Sequence, residues 1–261
     1  LAGANMGIIG VGLFLAVVLH YVPWILAILP GIVISVYMYW RDRHSPEPHF
    51  NLVKTFIVGG IATYPAIKME EYGIQVLGIL PSEDTWDTFW FAFGVIAFSE
   101  ELAKIWFLRV FIVPKKDFNE PMDGIVYAVM LGMGFATWEN ILYVIYRNGG
   151  AEVALMRMFT AVPAHAAFAM LMGYFVGLSR FAPTWRLSVL YLALGLIVPL
   201  LVHGVYDFFI FQQSHEYLIL VTFAALLGSL LLGWHLVGKQ ERQSYWKNKR
   251  REISERDSQA S

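Results

Sequence analysis

Cysteine is absent from this 261-residue chain, which excludes disulfides, a thiolate metal site and a cysteine nucleophile. Charge is also scarce, because Asp, Glu, Lys and Arg make up only 15% of the residues, against ~25% in a typical soluble domain. The net charge of -1 shows no excess of either sign. We interpret the basic residues near the C-terminus as a membrane-surface segment and expect no nucleic-acid partner.

The residues that are present are mostly apolar: 57% are hydrophobic and 16% aromatic. This composition predicts an all-α, polytopic membrane protein, since a helix needs ~20 apolar residues to cross a bilayer. The first two of the predicted spans share an apolar run that is broken near Pro23, so eight spans are expected and seven are the alternative. The eight cover residues 6–21, 23–40, 51–69, 87–113, 122–146, 153–179, 187–211 and 217–238.

Domain limits and orientation follow from the charges. We expect one transmembrane domain over 1–238 and a basic tail over 239–261, and we leave out 1–5, before Met6, as a candidate cloning remnant. If the spans alternate, the basic connections and the tail share one side, which the positive-inside rule makes cytoplasmic for both termini. The opposite side then carries the acidic residues Glu70, Glu71, Glu83 and Asp84, with Lys68, Arg147 and Arg157 as basic exceptions.

Two adjacent carboxylates, Glu100 and Glu101, lie inside the long apolar run from Phe89 to Val113. Each charge at mid-bilayer costs at least ~3 kcal/mol on insertion scales, and neighbouring like charges also repel. Lys104 lies on the same helical face, at four and three residues from the two acids. One ammonium cannot offset two carboxylates, so we expect the rest of the chain to supply further partners.

Later spans supply such partners. Glu139 lies in 122–146, His165 in 153–179, and His203 with Asp207, four residues apart, in 187–211. At ~1.5 Å per residue, we can count the depth of each group from the end of its helix. These depths place the later groups and the Glu pair in one layer of the membrane, slightly toward the extracytoplasmic side. A stripe of small residues spaced by four indicates that His165 faces protein: Ala161, Ala169, Gly173 and Gly177.

Each of these residues also has a purely structural interpretation. The Glu pair could form an ion pair with Lys104, and His203 with Asp207 could be an orienting pair. Glu139 or His165 could hydrogen-bond between helices. Four carboxylates and two imidazoles in one membrane layer are harder to explain as packing, so together they predict a functional site.

The order of these motifs resembles that of the PrsW-type intramembrane proteases, within the superfamily of the CAAX prenyl endopeptidases and the multispanning scaffold subunit of gamma-secretase. The resemblance covers about Trp24 to Trp234. It is carried by Glu100-Glu101-x-x-Lys104, Asp123-Gly124-Ile125-Val126-Tyr127, Gly134 to Tyr143, Pro163-Ala164-His165-Ala166, and Val198 to Phe208.

The resemblance implies an intramembrane endopeptidase of the bacterial cytoplasmic membrane, with Glu100, Glu101 and His203 essential. It also implies a membrane-anchored substrate, similar to an anti-sigma factor, cleaved on its extracytoplasmic side. We add Glu139 and His165 as catalytic candidates, with Lys104, Asn140 and Asp207 as supporting residues.

Two catalytic schemes fit these residues. In one, Glu100 activates water without a metal, and a histidine stabilises the oxyanion. In the other, His165, His203 and Glu139 hold a divalent ion, expected to be Zn²⁺, while Glu100 is the base. The surplus of carboxylates favours the metal. An ion-coupled transporter and a non-catalytic membrane scaffold are the alternative functions.

Overall fold

The computed structural model describes residues 2–82, 84–212 and 218–260, so that Glu83 lies outside the described residues. The described part is helical and contains no strand, which confirms the all-α prediction. Three π-helical segments, Trp90–Ala97, Leu108–Ile112 and Leu142–Tyr146, join or extend α-helices. The α-helices are α1 Ala2–Arg41, α2 His49–Gln75, α3 Thr85–Phe89, α4 Phe98–Phe107, α5 Pro121–Ile141, α6 Gly150–Phe159, α7 Ala161–Arg180, α8 Trp185–Phe211 and α9 Ile219–Ala260.

Six helical stretches of the described chain are long and apolar enough to cross a membrane. The segment that carries the Glu pair is helical from Thr85 to Ile112, but π-helical turns divide it into shorter elements. We therefore describe it as a further helical segment of the bundle. The six stretches are His20–Arg41, His49–Gln75, Pro121–Val144, Gly150–Arg180, Trp185–Phe211 and Ile219–Lys247.

Residues 6–40 form part of one continuous helix, α1, and not two spans separated at Pro23. This agrees with the alternative of a single element. A helix of 40 residues is ~60 Å long, so its two ends lie far apart. The prediction that both termini lie on the same side of the membrane requires two spans within 6–40. Because α1 is continuous over this range, that prediction is not confirmed. The span expected over 153–179 is divided at Thr160 into α6 and α7.

Helices α5 and α7 form the centre of the bundle, where nearly all their side chains are buried. Small residues let the neighbouring backbones touch. A Cβ atom at Gly173 would overlap the carbonyl oxygen of Gly124, and one at Gly134 would overlap that of Phe56 on α2. The predicted small-residue stripe on 161–177 therefore faces protein, as expected.

The basic connections meet at one end of the bundle, which we call the basic end. Arg41 forms an ion pair with Glu241 of α9, and Ser244 of α9 donates a hydrogen bond to Glu120 at 2.7 Å. Residues 42–48, 113–120 and the start of the tail thus share this end. That it faces the cytoplasm stays a prediction of the positive-inside rule.

The basic end also contains buried carboxyl groups. Asp42 is 3% exposed, and burial, followed by repulsion from Asp123, raises the pKa of its carboxyl group to about 8. Burial likewise raises the pKa of Glu47, which accepts a hydrogen bond from Tyr127. Asp42 and Glu47 lie in a polar connection, where hydropathy does not distinguish them from ordinary loop acids.

Candidate active site

The Glu pair and Lys104 form the centre of a buried polar cluster on α4. The ammonium nitrogen of Lys104 lies 2.9 Å from Oε2 of Glu100 and 2.9 Å from Oε1 of Glu101. All three residues are at most 4% exposed. The helical spacing of three and four residues thus produces the predicted ion pairs.

The third partner of Lys104 is His165 of α7, whose Nδ1 lies 3.1 Å from the ammonium nitrogen. A lysine ammonium has three N–H donors, and the three neighbouring acceptors use all of them. Nδ1 of His165 therefore accepts, and Nε2 carries the proton that is donated to Glu139, 2.8 Å away. These two contacts favour the tautomer of His165 with its proton on Nε2.

His203 of α8 lies between two carboxylates. Its Nδ1 is 2.9 Å from Oε1 of Glu101, and its Nε2 is 3.2 Å from Oδ2 of Asp207. Both ring nitrogens donate only if the imidazole is protonated, so the geometry favours an imidazolium. Phe168 stacks on this ring with centroids 4.6 Å apart. Asp207, four residues along the helix, lies on the same face as His203, as the spacing predicts.

Glu139 has a cationic partner that the sequence analysis did not find. Nη2 of Arg157, on α6, lies 2.9 Å from Oε2 of Glu139. Nε of Arg157 donates to the side-chain oxygen of Asn140 at 2.7 Å, and the Asn140 amide donates to the carbonyl of Ala27 on α1. Hydropathy and the positive-inside rule place Arg157 among the basic exceptions on the acidic side. A cation in an apolar span was the available clue, by the same cost argument as for the acids.

Glu70 of α2 is a second residue that sequence reasoning assigned elsewhere. We expected it on the acidic side of the membrane, yet its carboxyl group interacts electrostatically with Glu100, Glu139, His203 and Asp207. It therefore belongs to the surroundings of the cluster. Hydropathy does not distinguish Glu70, because it lies with Glu71 just after the predicted span 51–69.

The backbone is irregular next to both acidic motifs. The π-helical segment Trp90–Ala97 leads directly into α4 and the Glu pair, and Leu142–Tyr146 follows three residues after Glu139. A π-helical turn changes the angular position of the side chains that follow it, and such turns are frequent at functional sites. Trp90–Ala97 precedes the Glu pair and so contributes to the direction in which the acids of α4 point.

The residues of the cluster do not balance in charge. Glu100, Glu101, Glu139 and Asp207 carry four negative charges, while Lys104, Arg157 and a protonated His203 carry three positive ones. Arg157 thus reduces the surplus that the sequence analysis inferred. A proton or a further cation is needed to make this low-dielectric site neutral.

Two groups in this cluster have donor atoms close enough to share a metal ion, all within 4.8 Å of one another. One is Glu100, Glu139 and His165; the other is Glu100, Glu101 and His203. Glu100 is common to both, whereas we had predicted His165, His203 and Glu139 as ligands with Glu100 as the base. In the second group, Oε2 of Glu101 is buried without a hydrogen-bond partner. Carboxylate and imidazole donors with one unused oxygen fit a divalent metal if the imidazole is neutral. A metal on His203 and an imidazolium at His203 are therefore alternative states of this group.

Comparison with known proteins identifies the family. A model of the PrsW family of intramembrane metalloproteases matches residues 47–231. The chain belongs to the PrsW family. The matched range contains every residue of the cluster, from Glu70 to Asp207, which confirms the resemblance noted from the motifs.

Proteins named Protease PrsW match most of the chain. Protease PrsW of Bacillus subtilis is 34% identical over 201 residues, 77% of this chain and 88% of that protein. The Oceanobacillus iheyensis protein of the same name is 35% identical over 207 residues, 78% and 90% of the two chains. The Clostridioides difficile one is 30% identical over 215 residues, 80% and 88%. No solved structure gives a significant match.

Family membership and the apolar helices together establish an intramembrane peptidase that is a multi-pass integral protein of a bacterial membrane. The description of the PrsW family includes a metal, and the donor atoms of the cluster are chemically suited to one.

Proposed function

We propose that this chain is an endopeptidase that hydrolyses a peptide bond of a membrane-anchored protein, with the water activated at Glu100. The observation that carries the proposal is the position of Glu100. It contacts Lys104 on its own helix and is the acid shared by both metal-capable groups, one with α7 and one with α8. A buried carboxylate at the meeting point of several helices is suited to proton transfer inside a membrane.

The neighbouring residues have distinct roles in this proposal. In the scheme without a metal, Glu100 takes a proton from the attacking water and passes it to the leaving amine. Lys104 and His203 hold Glu101 in place, and the positive charge of His203 stabilises the oxyanion that develops on the scissile carbonyl. His165 contacts Lys104 through Nδ1 and Glu139 through Nε2. It therefore positions Glu139 relative to Lys104 and the Glu pair.

A divalent metal would be held by one of the two groups that include Glu100. When bound, it would polarise the carbonyl and lower the pKa of a coordinated water. With Glu100 as a ligand, the base is the acid left outside the group: Glu101 for the group with His165, and Glu139 for the group with His203. In the metal-independent alternative, Glu100 itself is the base.

The depth of the cluster supports cleavage near the extracytoplasmic side. Glu139 lies 18 residues after Pro121 at the basic end and seven residues before Tyr146 at the other end. At ~1.5 Å per residue these are distances of roughly 27 Å and 10 Å. With the basic end in the cytoplasm, a substrate such as a membrane-anchored anti-sigma factor would be cut near its outer side.

The test uses the purified chain in detergent and a labelled single-pass reporter that carries the membrane segment of an anti-sigma factor. We expect Glu100→Gln, Glu101→Gln and His203→Asn to fold and to lose at least about 100-fold in cleavage rate. Glu152→Gln, an exposed carboxylate on α6, is the matched control and should cleave normally. Wild-type cleavage by Glu100→Gln would refute the proposal, and normal function of all three variants would favour a scaffold.

Metal dependence has a separate test. We expect elemental analysis of the purified protein to find zinc, and a chelator to stop cleavage until Zn²⁺ is restored. Full cleavage by metal-free protein in the presence of chelator would remove the metal scheme and leave the glutamate scheme.

A further inference from the structure

Four carboxyl groups from two parts of the chain meet at the basic end. Asp42 and Glu47 lie in the connection between α1 and α2, and Glu120 and Asp123 lie at the start of α5. They are 3%, 3%, 2% and 0% exposed, respectively. Burying one ionised carboxylate is costly, and burying several together adds their mutual repulsion.

The hydrogen bonds that these groups accept come from neutral donors only. The backbone N–H of Glu47 donates to Asp42, and the hydroxyl of Tyr127 to Glu47. Ser244 donates to Glu120, and the backbone N–H groups of Asn119 and Glu120 donate to Oδ2 of Asp123. Neutral donors orient the carboxylates but do not cancel their charge.

No lysine or arginine among the described side chains forms an ion pair with any of the four acids. Lys115 interacts electrostatically with Glu47. However, its ammonium nitrogen is buried and has no hydrogen-bond partner. When these acids are ionised, no described lysine or arginine is in direct contact with them to offset their charge.

One oxygen of the group has no partner. Oδ1 of Asp123 is buried and receives no hydrogen bond, although the residue is fully enclosed. Oδ2 of the same carboxylate holds the two backbone N–H groups at 2.6 and 2.8 Å. The side chain is thus held in place by one oxygen, and the other is available to a ligand. A buried acceptor left unsatisfied costs about 1–3 kcal/mol.

Ligand oxygens of Asp42, Glu120 and Asp123 lie within 4.8 Å of one another. Oxygens around Ca²⁺ lie at about 2.3–2.6 Å from the ion, so two of them on opposite sides are about 5 Å apart. A set made of carboxylates alone selects a hard cation over zinc or copper. We propose that Asp42, Glu120 and Asp123 form a binding site for a hard divalent cation of the Ca²⁺ or Mg²⁺ type.

This second site is separate from the active site. Asp123 and Glu139 are 16 residues apart on α5, which corresponds to ~24 Å along the helix. A cation bound there connects the α1–α2 connection to the start of α5, and Ser244 extends the connection to α9. Its role is to fasten the basic end of the bundle, not to take part in proteolysis.

The test is a calorimetric titration of the full chain in detergent, first treated with chelator, with Ca²⁺ and Mg²⁺ as separate probes. We expect one site in the wild type and in Glu100→Gln, with thermal stability that rises on cation addition. Asp42→Asn and Asp123→Asn should weaken binding by more than about tenfold. Glu152→Gln, with its carboxylate on α6, should bind as the wild type does.

Three results would overturn the proposal. The first is absence of binding in the wild type, which would mean that protons or Lys115 neutralise the acids. The second is binding that survives both Asp42→Asn and Asp123→Asn. The third is binding that Glu100→Gln removes, which would assign the cation to the active site. If Asp123→Asn does not fold, Asp42→Asn alone decides, because Asp42 lies outside α5 and its capping hydrogen bonds.

Discussion

Replacement of Lys104 by methionine tests whether its ammonium holds the active site together. Methionine keeps the length and the apolar packing of the side chain but removes the charge and all three N–H donors. Glu100 and Glu101 would each lose a partner at 2.9 Å, and His165 would lose the donor that determines its tautomer.

The magnitude follows from these contacts. At an effective dielectric constant of about 20, each unit-charge contact of this length contributes roughly 6 kcal/mol of Coulomb attraction. Several kcal/mol of ammonium desolvation offset part of this gain. Removing one partner of a buried ion pair typically costs 3–5 kcal/mol, so we expect Lys104→Met to lower the free energy of unfolding by about that amount.

A second substitution provides the internal check. Glu100→Gln in the Lys104→Met background removes one of the two carboxylates left without a cation, so the double variant should be more stable than Lys104→Met alone. Unfolding would be followed by fluorescence in mixed detergent and SDS micelles. Lys68→Met is the matched control, because Lys68 forms an (i, i+3) pair with Glu71 while more than half exposed, and it should have little effect. A loss below about 1 kcal/mol for Lys104→Met, or no recovery in the double variant, would refute the reasoning.

Two further predictions concern Arg157 and the close contact of α2 with α5. Arg157→Leu should lower kcat by about 10–100-fold with little change in KM, since Glu139 loses its cation; Arg157→Lys should recover much of it, and an unchanged kcat for Arg157→Leu would contradict the positioning role. Gly134→Ala should destabilise the protein by about 1–3 kcal/mol, because the new methyl group overlaps the Phe56 carbonyl. Gly228→Ala, where a Cβ meets nothing within 4 Å, is its control, and equal thermal stability of the two would contradict the packing argument.

The membrane class and the principal acids could be predicted because both follow from local properties of the chain. Composition and apolar length indicate helices in a bilayer, and charge inside such a helix is conspicuous because it is expensive. That argument identified Glu100, Glu101, Glu139, His165, His203 and Asp207, and the structure brings all of them into one cluster.

The partners of these residues were harder to predict. Arg157 and Glu70 lie near the ends of apolar runs, where a charge costs less than at mid-bilayer and is therefore a weaker signal. Their approach to the cluster depends on the turn at Thr160 and on the packing of α2 against α5. The continuity of α1 past Pro23 was also undecided, since proline is tolerated in membrane helices.

The sequence by itself determined that this is a helical membrane protein with acids and histidines that pure packing does not explain, because hydropathy and the cost of buried charge are properties of single segments. Only the tertiary structure decided which of these groups touch. Lys104 joins three acceptors, Glu100 belongs to both metal-capable groups, and a second set of acids meets ~24 Å away along α5. Such contacts depend on how separate helices rotate and approach, which no single segment encodes.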